Sequence, residues 1–109
     1  MCWILCFLFE VLCPMEKVIE SITECARFNS SVSRVILFGS RSRGDYERTS
    51  DFDICVFCEN NTGFTKFYFD VDEIETFYKI DVLRHSDISN ELLKSEIERD
   101  GVILYERKA

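Results

Sequence analysis

The sequence has little of what several large classes of protein require. It contains one Pro and four Gly among 109 residues, while 47% of residues are hydrophobic and 14% aromatic. This composition excludes a disordered chain and predicts a packed core. Basic residues are also few, since 13 Lys and Arg stand against 20 Asp and Glu and give a net charge of −7. Nucleic acids are bound largely through phosphate neutralisation, so we expect no direct nucleic-acid binding. The length leaves no room for a separate substrate domain.

A long hydrophobic run is missing as well. Residues 2–13 are apolar except for Glu10, and Pro14 follows them, but a membrane-spanning helix needs about 20 apolar residues. The run also lacks the positively charged start and the small-residue cleavage site of a secretory signal. We therefore expect residues 1–14 to be a hydrophobic leader, explained by a misassigned start, ahead of a cytoplasmic domain of residues 15–109 without membrane contact. A leader that packs on the domain or on a partner is the alternative.

The cysteines and the single histidine do not form a recognisable site. Cys55 and Cys58 make a C-x-x-C, but they lie inside the apolar run 52–58, which is typical of a strand. Side chains three apart on a strand point to opposite faces, so we expect buried free thiols and not a shared metal. His85 lies in a polar segment, where a solvated loop residue is expected and not a general base.

Apolar spacing and turn residues predict an alternation of helices and strands. The expected helices span 16 to about 28, 64 to about 76 and 89–99; the expected strands span 33–38, 52–58, 78–83 and 102–105. A polar connector covers 41–50, and 60–63 is expected to break the chain. In the last helix Leu92, Leu93 and Ile97 should face inward, with Gly101 as its stop. The fold class is therefore α/β.

Polar residues gather where the first two predicted strands end and begin. Gly39 and Ser40 follow the first strand, where a glycine allows close backbone approach to a phosphate and amide and hydroxyl groups can donate hydrogen bonds. Asp51 and Asp53 open the second strand two residues apart. Both carboxylates therefore project from one face, as joint coordination of Mg²⁺ requires, while Phe52 and its alternate neighbours face the core.

Asp81 is a third acid, and it interrupts an apolar strand. Burying a lone carboxylate is costly, so Asp81 should lie at an open edge or have a cationic partner. If its strand neighbours the strand of Asp51 and Asp53, the three carboxylates can form one metal site.

The string from Phe38 to Asp45, Phe-Gly-Ser-Arg-Ser-Arg-Gly-Asp, followed by Ser-Asp-Phe-Asp at 50–53, resembles the signature of the minimal nucleotidyltransferases. These are the smallest members of the DNA polymerase β-like nucleotidyltransferase superfamily. The resemblance implies a small mixed β-sheet with helices packed on it. It also implies that Asp51, Asp53 and Asp81 ligate two Mg²⁺ ions, with Mn²⁺ as a substitute, and that Gly39, Ser40 and Arg43 bind the phosphates of a nucleoside triphosphate.

Within that group are the antitoxins of toxin–antitoxin pairs whose toxin is a HEPN-domain ribonuclease. The resemblance thus implies transfer of AMP from ATP to a hydroxyl of a HEPN toxin, which silences it. Two alternatives stay open: an antitoxin that masks its partner by contact alone, and nucleotidyl transfer to a small molecule by a dimer whose interface forms the acceptor pocket.

Overall fold

Three α-helices, one short 3₁₀ helix and four strands make up the part of the chain that the computed structural model describes, residues 14–39, 51–76 and 78–107. In chain order they are α1 (Pro14–Arg27), β1 (Val32–Phe38), β2 (Phe52–Cys58), α2 (Asn61–Asp72), β3 (Ile80–Arg84), a short 3₁₀ helix (His85–Asp87), α3 (Glu91–Asp100) and β4 (Val102–Glu106). None of these helices combines the length and apolar character needed to cross a membrane. The division into a leader and a domain at Met15 stays a prediction, because residues 1–13 lie outside the described ranges.

The four strands form one mixed sheet in the order β3-β2-β1-β4. Strand β1 runs antiparallel to β2 and to β4, and β2 runs parallel to β3. A parallel pair needs a crossover connection, usually a helix, and α2 supplies it between β2 and β3. The predicted α/β class and the mixed sheet implied by the resemblance are confirmed.

Helices cover both faces of the sheet. Phe52, Ile54 and Val56 of β2 are fully buried on the face that carries α1 and α2. Cys55 points the other way and packs with Ile97 of α3. Each large apolar side chain buried in this way stabilises the fold by about 1.5–3 kcal/mol. The alternation leaves the odd-numbered positions of β2, including Asp53, on the face of α3.

Helix α2 begins earlier than the sequence pattern suggests. The side chain of Asn60 accepts a hydrogen bond from the Gly63 amide at 2.7 Å, which satisfies one of the free donors of the first turn. Asn60 therefore starts the helix at Asn61, and the prediction of a chain break over 60–63 with a helix from Phe64 to about Thr76 was wrong at both ends. Because α2 ends at Asp72, residues 73–76 lead towards β3.

Helix α3 stops at Gly101 as predicted, but not all of the residues predicted to face the core do so. The Asn90 side chain caps its start by accepting hydrogen bonds from the amides of Leu92 and Leu93, and the Gly101 amide donates to the Ile97 carbonyl at 2.9 Å. Leu92 is 69% exposed, so its predicted inward position was wrong. Leu93 and Ile97 are four residues apart on one stripe of the helix and do pack on the sheet.

Candidate active site

Strands β2 and β3 bring two acids side by side. In this parallel pair Asp53 is the direct register partner of Asp81, so both side chains leave the same face of the sheet from strands about 4.8 Å apart. Asp81 meets both expectations for a carboxylate in an apolar strand, because it lies at an open edge and has a cationic partner. Strand β3 is an edge of the described sheet, and the Lys79 Nζ lies 3.5 Å from the Asp81 Oδ1.

Gly39 closes the site from the side of β1. Its neighbour Phe38 is the register partner of Asp53 across the β1–β2 pair. Gly39 has a φ of +79°, and a Cβ there would lie 2.6 Å from the Asp53 Oδ2. Two constraints therefore require glycine at this position: the left-handed backbone conformation and the lack of space for a side chain. The close approach in the structure is to Asp53, whereas the sequence predicted a close approach to a phosphate.

The electrostatics of the pair favour a bound cation or proton. The pKa of Asp53 is raised above its ordinary value, first by partial burial, then by the negative charges of Asp81 and Asp51, and by a hydrogen bond with Asp81; the charge of Lys79 opposes these effects. Like charges that share a site disfavour ionisation of both. A divalent cation would remove this penalty, because it attracts the same carboxylates that repel one another.

The donor set fits a divalent cation in kind, although it does not form a closed cage. Within residues 14–39, 51–76 and 78–107, no three His, Cys, Asp or Glu side chains are arranged to hold one metal ion. Asp53 and Asp81 share a face, while Asp51 is exposed just before β2. Mg²⁺ usually keeps several waters and binds through one or two carboxylates plus substrate phosphates, so a carboxylate pair at an open edge suits it.

The structure thus brings together Gly39, Asp53 and Asp81, with Asp51 close enough to influence the pKa of Asp53. The predictions for Ser40 and Arg43 fall outside the described residues. Sequence reasoning missed Lys79, whose only signal was its position two residues before Asp81, directly ahead of β3.

The acidic pair opens into a cleft of about 600 Å³ that runs along β3. Besides Asp53, Asp81 and Lys79, its lining includes Tyr68 and Asp72 from the last part of α2. The cleft therefore offers room beside the carboxylates for a substrate, and its helical wall was not predicted from the sequence.

Two further expectations concern residues outside this pair. Cys55 and Cys58 belong to the packing clusters of opposite sheet faces and are free thiols, as predicted, although Cys58 is only half-buried. Burial raises the pKa of the Cys55 thiol to about 11. His85 is not a solvated loop residue, because it lies half-buried in the 3₁₀ helix with its ring stacked on that of Phe57 at a centroid distance of 4.2 Å.

Comparison with known families agrees with this geometry. Residues 20–109 match the family described as "Polymerase beta, Nucleotidyltransferase". The chain belongs to this nucleotidyltransferase family. The match confirms the resemblance and the enzyme class inferred from the glycine-serine and paired-aspartate spacing. A candidate protein adenylyltransferase of Methanocaldococcus jannaschii is 28% identical to this nucleotidyltransferase over 84% of the chain and 95% of its own length.

Solved structures share the fold. A chain in a crystal structure of a toxin–antitoxin with AMP-PNP superposes with a TM-score of 0.61 at 21% identity and covers 83% of this chain and 74% of its own. A chain from the complex of tri-AMPylated Shewanella oneidensis HEPN toxin with MNT antitoxin gives 0.57 at 18% identity, with 84% and 72% covered. A candidate nucleotidyltransferase from Sulfolobus solfataricus gives 0.53 at 29% identity, with 84% and 79% covered.

Proposed function

We propose that this nucleotidyltransferase moves AMP from ATP to a hydroxyl group of a partner protein, with Mg²⁺ held by Asp51, Asp53 and Asp81, and that the partner is a HEPN ribonuclease toxin silenced by the modification in the cytoplasm. The observation that carries the proposal is the register pairing of Asp53 with Asp81 against Gly39. That arrangement concentrates negative charge at the turn where the family signature begins.

The residues divide the work of the reaction. Divalent cations, when bound in such a site, lower the pKa of the attacking hydroxyl and stabilise the pyrophosphate that leaves. Asp53 and Asp81 hold the cation from neighbouring strands, and Asp51, exposed just before β2, is a further ligand. Asp81 also helps to take the proton of the acceptor hydroxyl, because it stands on the edge strand where an acceptor can approach. The acceptor oxygen then replaces pyrophosphate at the α-phosphorus.

Residues that follow β1 in the sequence supply the nucleotide contacts in this proposal. Gly39 has no side chain, so its backbone can come close to the β- and γ-phosphates, and the Ser40 hydroxyl donates a hydrogen bond to them. Arg43 offsets the phosphate charge, which matters in a protein whose net charge is −7.

The choice of acceptor is supported by the relatives. The M. jannaschii relative is named for protein adenylylation, and the S. oneidensis complex contains a HEPN toxin that carries three AMP groups. The open cleft beside Asp81 suits an acceptor that is presented by another chain.

A transfer assay tests the proposal. The protein is incubated with Mg²⁺, each α-labelled nucleoside triphosphate in turn and the product of the neighbouring gene as the candidate partner. Label should pass from ATP to the partner, disappear with Asp53→Asn and persist with the matched control Asp70→Asn, which removes an acid that pairs with Lys66 on α2. Label that survives in Asp53→Asn would overturn the assignment of the site.

Masking by contact alone is the second candidate. It is supported by the S. oneidensis relative, an MNT antitoxin that is held in a complex with its HEPN toxin. In that case a tight complex would form with the partner, and no nucleotide would label it.

A further inference from the structure

The backbone of Lys79 is held beside the acidic pair. Its backbone carbonyl accepts a hydrogen bond from the Phe52 amide at 2.8 Å, which ties it to the first residue of β2. Its ammonium lies 3.5 Å from the Asp81 Oδ1, and its charge acts on Asp53 against the neighbouring acids. The side chain is 71% exposed, so its flexible stem can swing into solvent at little cost.

We propose that Lys79 is a tethered counter-ion that a divalent cation must displace from Asp53 and Asp81, and that it thereby sets the cation concentration at which the site fills. The inference rests on the proposed function, because it assumes that this pair binds the cation. An ammonium and a divalent cation seek the same carboxylate oxygens and repel each other. The doubly charged ion wins at sufficient concentration, since each carboxylate attracts it about twice as strongly at equal distance.

Binding of Mn²⁺ alone, without nucleotide, tests the inference on the full chain. Lys79→Met should bind Mn²⁺ about three- to tenfold more tightly than the wild type, because an exposed counter-charge is removed. Lys79→Arg keeps the charge and should keep the wild-type affinity. Lys66→Met is the matched control: it removes an ammonium that pairs with Asp70 at 2.6 Å on α2, and it should leave the affinity within about twofold of the wild type.

Thermal unfolding gives a second readout that a purely structural lysine would not produce. With a chelator present, Lys79→Met should unfold about 1–4 °C below the wild type, because the acids lose their counter-ion. With saturating Mn²⁺ the difference should vanish or reverse. A structural lysine would lower both transitions equally.

Failure of the proposed metal site can be distinguished from failure of the role of Lys79. A wild type that binds no Mn²⁺ overturns the proposed metal site together with this inference. A wild type that binds Mn²⁺ while Lys79→Met binds it equally or more weakly overturns the role of Lys79 alone. Equal tightening in Lys66→Met would also overturn it, because net charge would then explain the effect.

Discussion

Replacing Gly39 with Ala should damage the fold and the site together. The backbone at Gly39 has a φ of +79°, and the new Cβ would lie 2.6 Å from the Asp53 Oδ2, closer than the 3.0 Å below which something must shift. The left-handed backbone costs about 1–2 kcal/mol for a residue with a Cβ. Displacing the carboxylate adds to this cost. We expect a loss of about 1–3 kcal/mol in the free energy of unfolding, which corresponds to about 5–15 °C in Tm for a domain of this size.

The same substitution should weaken cation binding in the molecules that remain folded. The Asp53 carboxylate must withdraw by about 0.4 Å or more to reach the 3.0 Å limit, and it would then leave its alignment with Asp81. Changes to residues that support metal ligands cost about 10–100-fold in metal affinity. We therefore expect Mn²⁺ affinity to fall about tenfold or more at a temperature well below Tm.

Circular dichroism on heating and Mn²⁺ titration measure the two effects. Gly63→Ala is the control, because its Cβ would clash with the Ser31 side chain at the other end of β1, about 20 Å away along seven strand residues. It should lower Tm but leave Mn²⁺ affinity unchanged. A Gly39→Ala protein with wild-type Tm and wild-type affinity would refute the reasoning, and so would an equal loss of affinity in Gly63→Ala.

Three other predictions follow from burial and charge. Asp53→Asn should raise the Tm of the cation-free protein at pH 7. Because the pKa of Asp53 in the folded protein lies above 3.8, its ionised form destabilises the fold more as pH rises, so the gain in Tm should vanish near pH 3.5. A lower Tm of the variant at pH 7 would contradict this. Phe67→Ala removes a fully buried ring and should cost about 3–5 kcal/mol in urea unfolding, against about 0.5 kcal/mol or less for exposed Thr65→Ala; equal costs would show that Phe67 is not core. With a pKa of about 11, Cys55 should resist iodoacetamide at pH 8 in the native protein while Cys58 reacts, as followed by peptide mass spectrometry; rapid modification of Cys55 would show that it is not buried.

Much of the sheet and of the acidic pair follows from local sequence. The apolar run 52–58 is a strand because its alternate residues Phe52, Ile54 and Val56 must be buried, and this alternation alone puts Asp53 on the opposite face. The glycine-serine and paired-aspartate spacing then indicates the family.

The contacts that complete the site are mostly long-range and could not be predicted from local sequence. Register decides that Asp81 lies beside Asp53, and register between strands joined by a helix depends on the packing of the whole domain. The ion pair of Lys79 with Asp81 is local, because the two residues are two apart, but the register is what brings the Lys79 charge near Asp53. One local contact and one further long-range contact also overrode the pattern. Asn60 caps α2 where a break was expected, and Phe57 of β2 stacks on the ring of His85. Metal ligation and nucleotide contacts stay predictions.

Intact mass spectrometry of the partner protein tests AMP transfer most directly. After incubation of the HEPN partner with this protein, ATP and Mg²⁺, the partner should gain the mass of one or more AMP groups, located on a hydroxyl side chain. The gain should be absent with Asp53→Asn and unchanged with Asp70→Asn. A stable complex in which the partner keeps its original mass with every nucleotide would contradict the account.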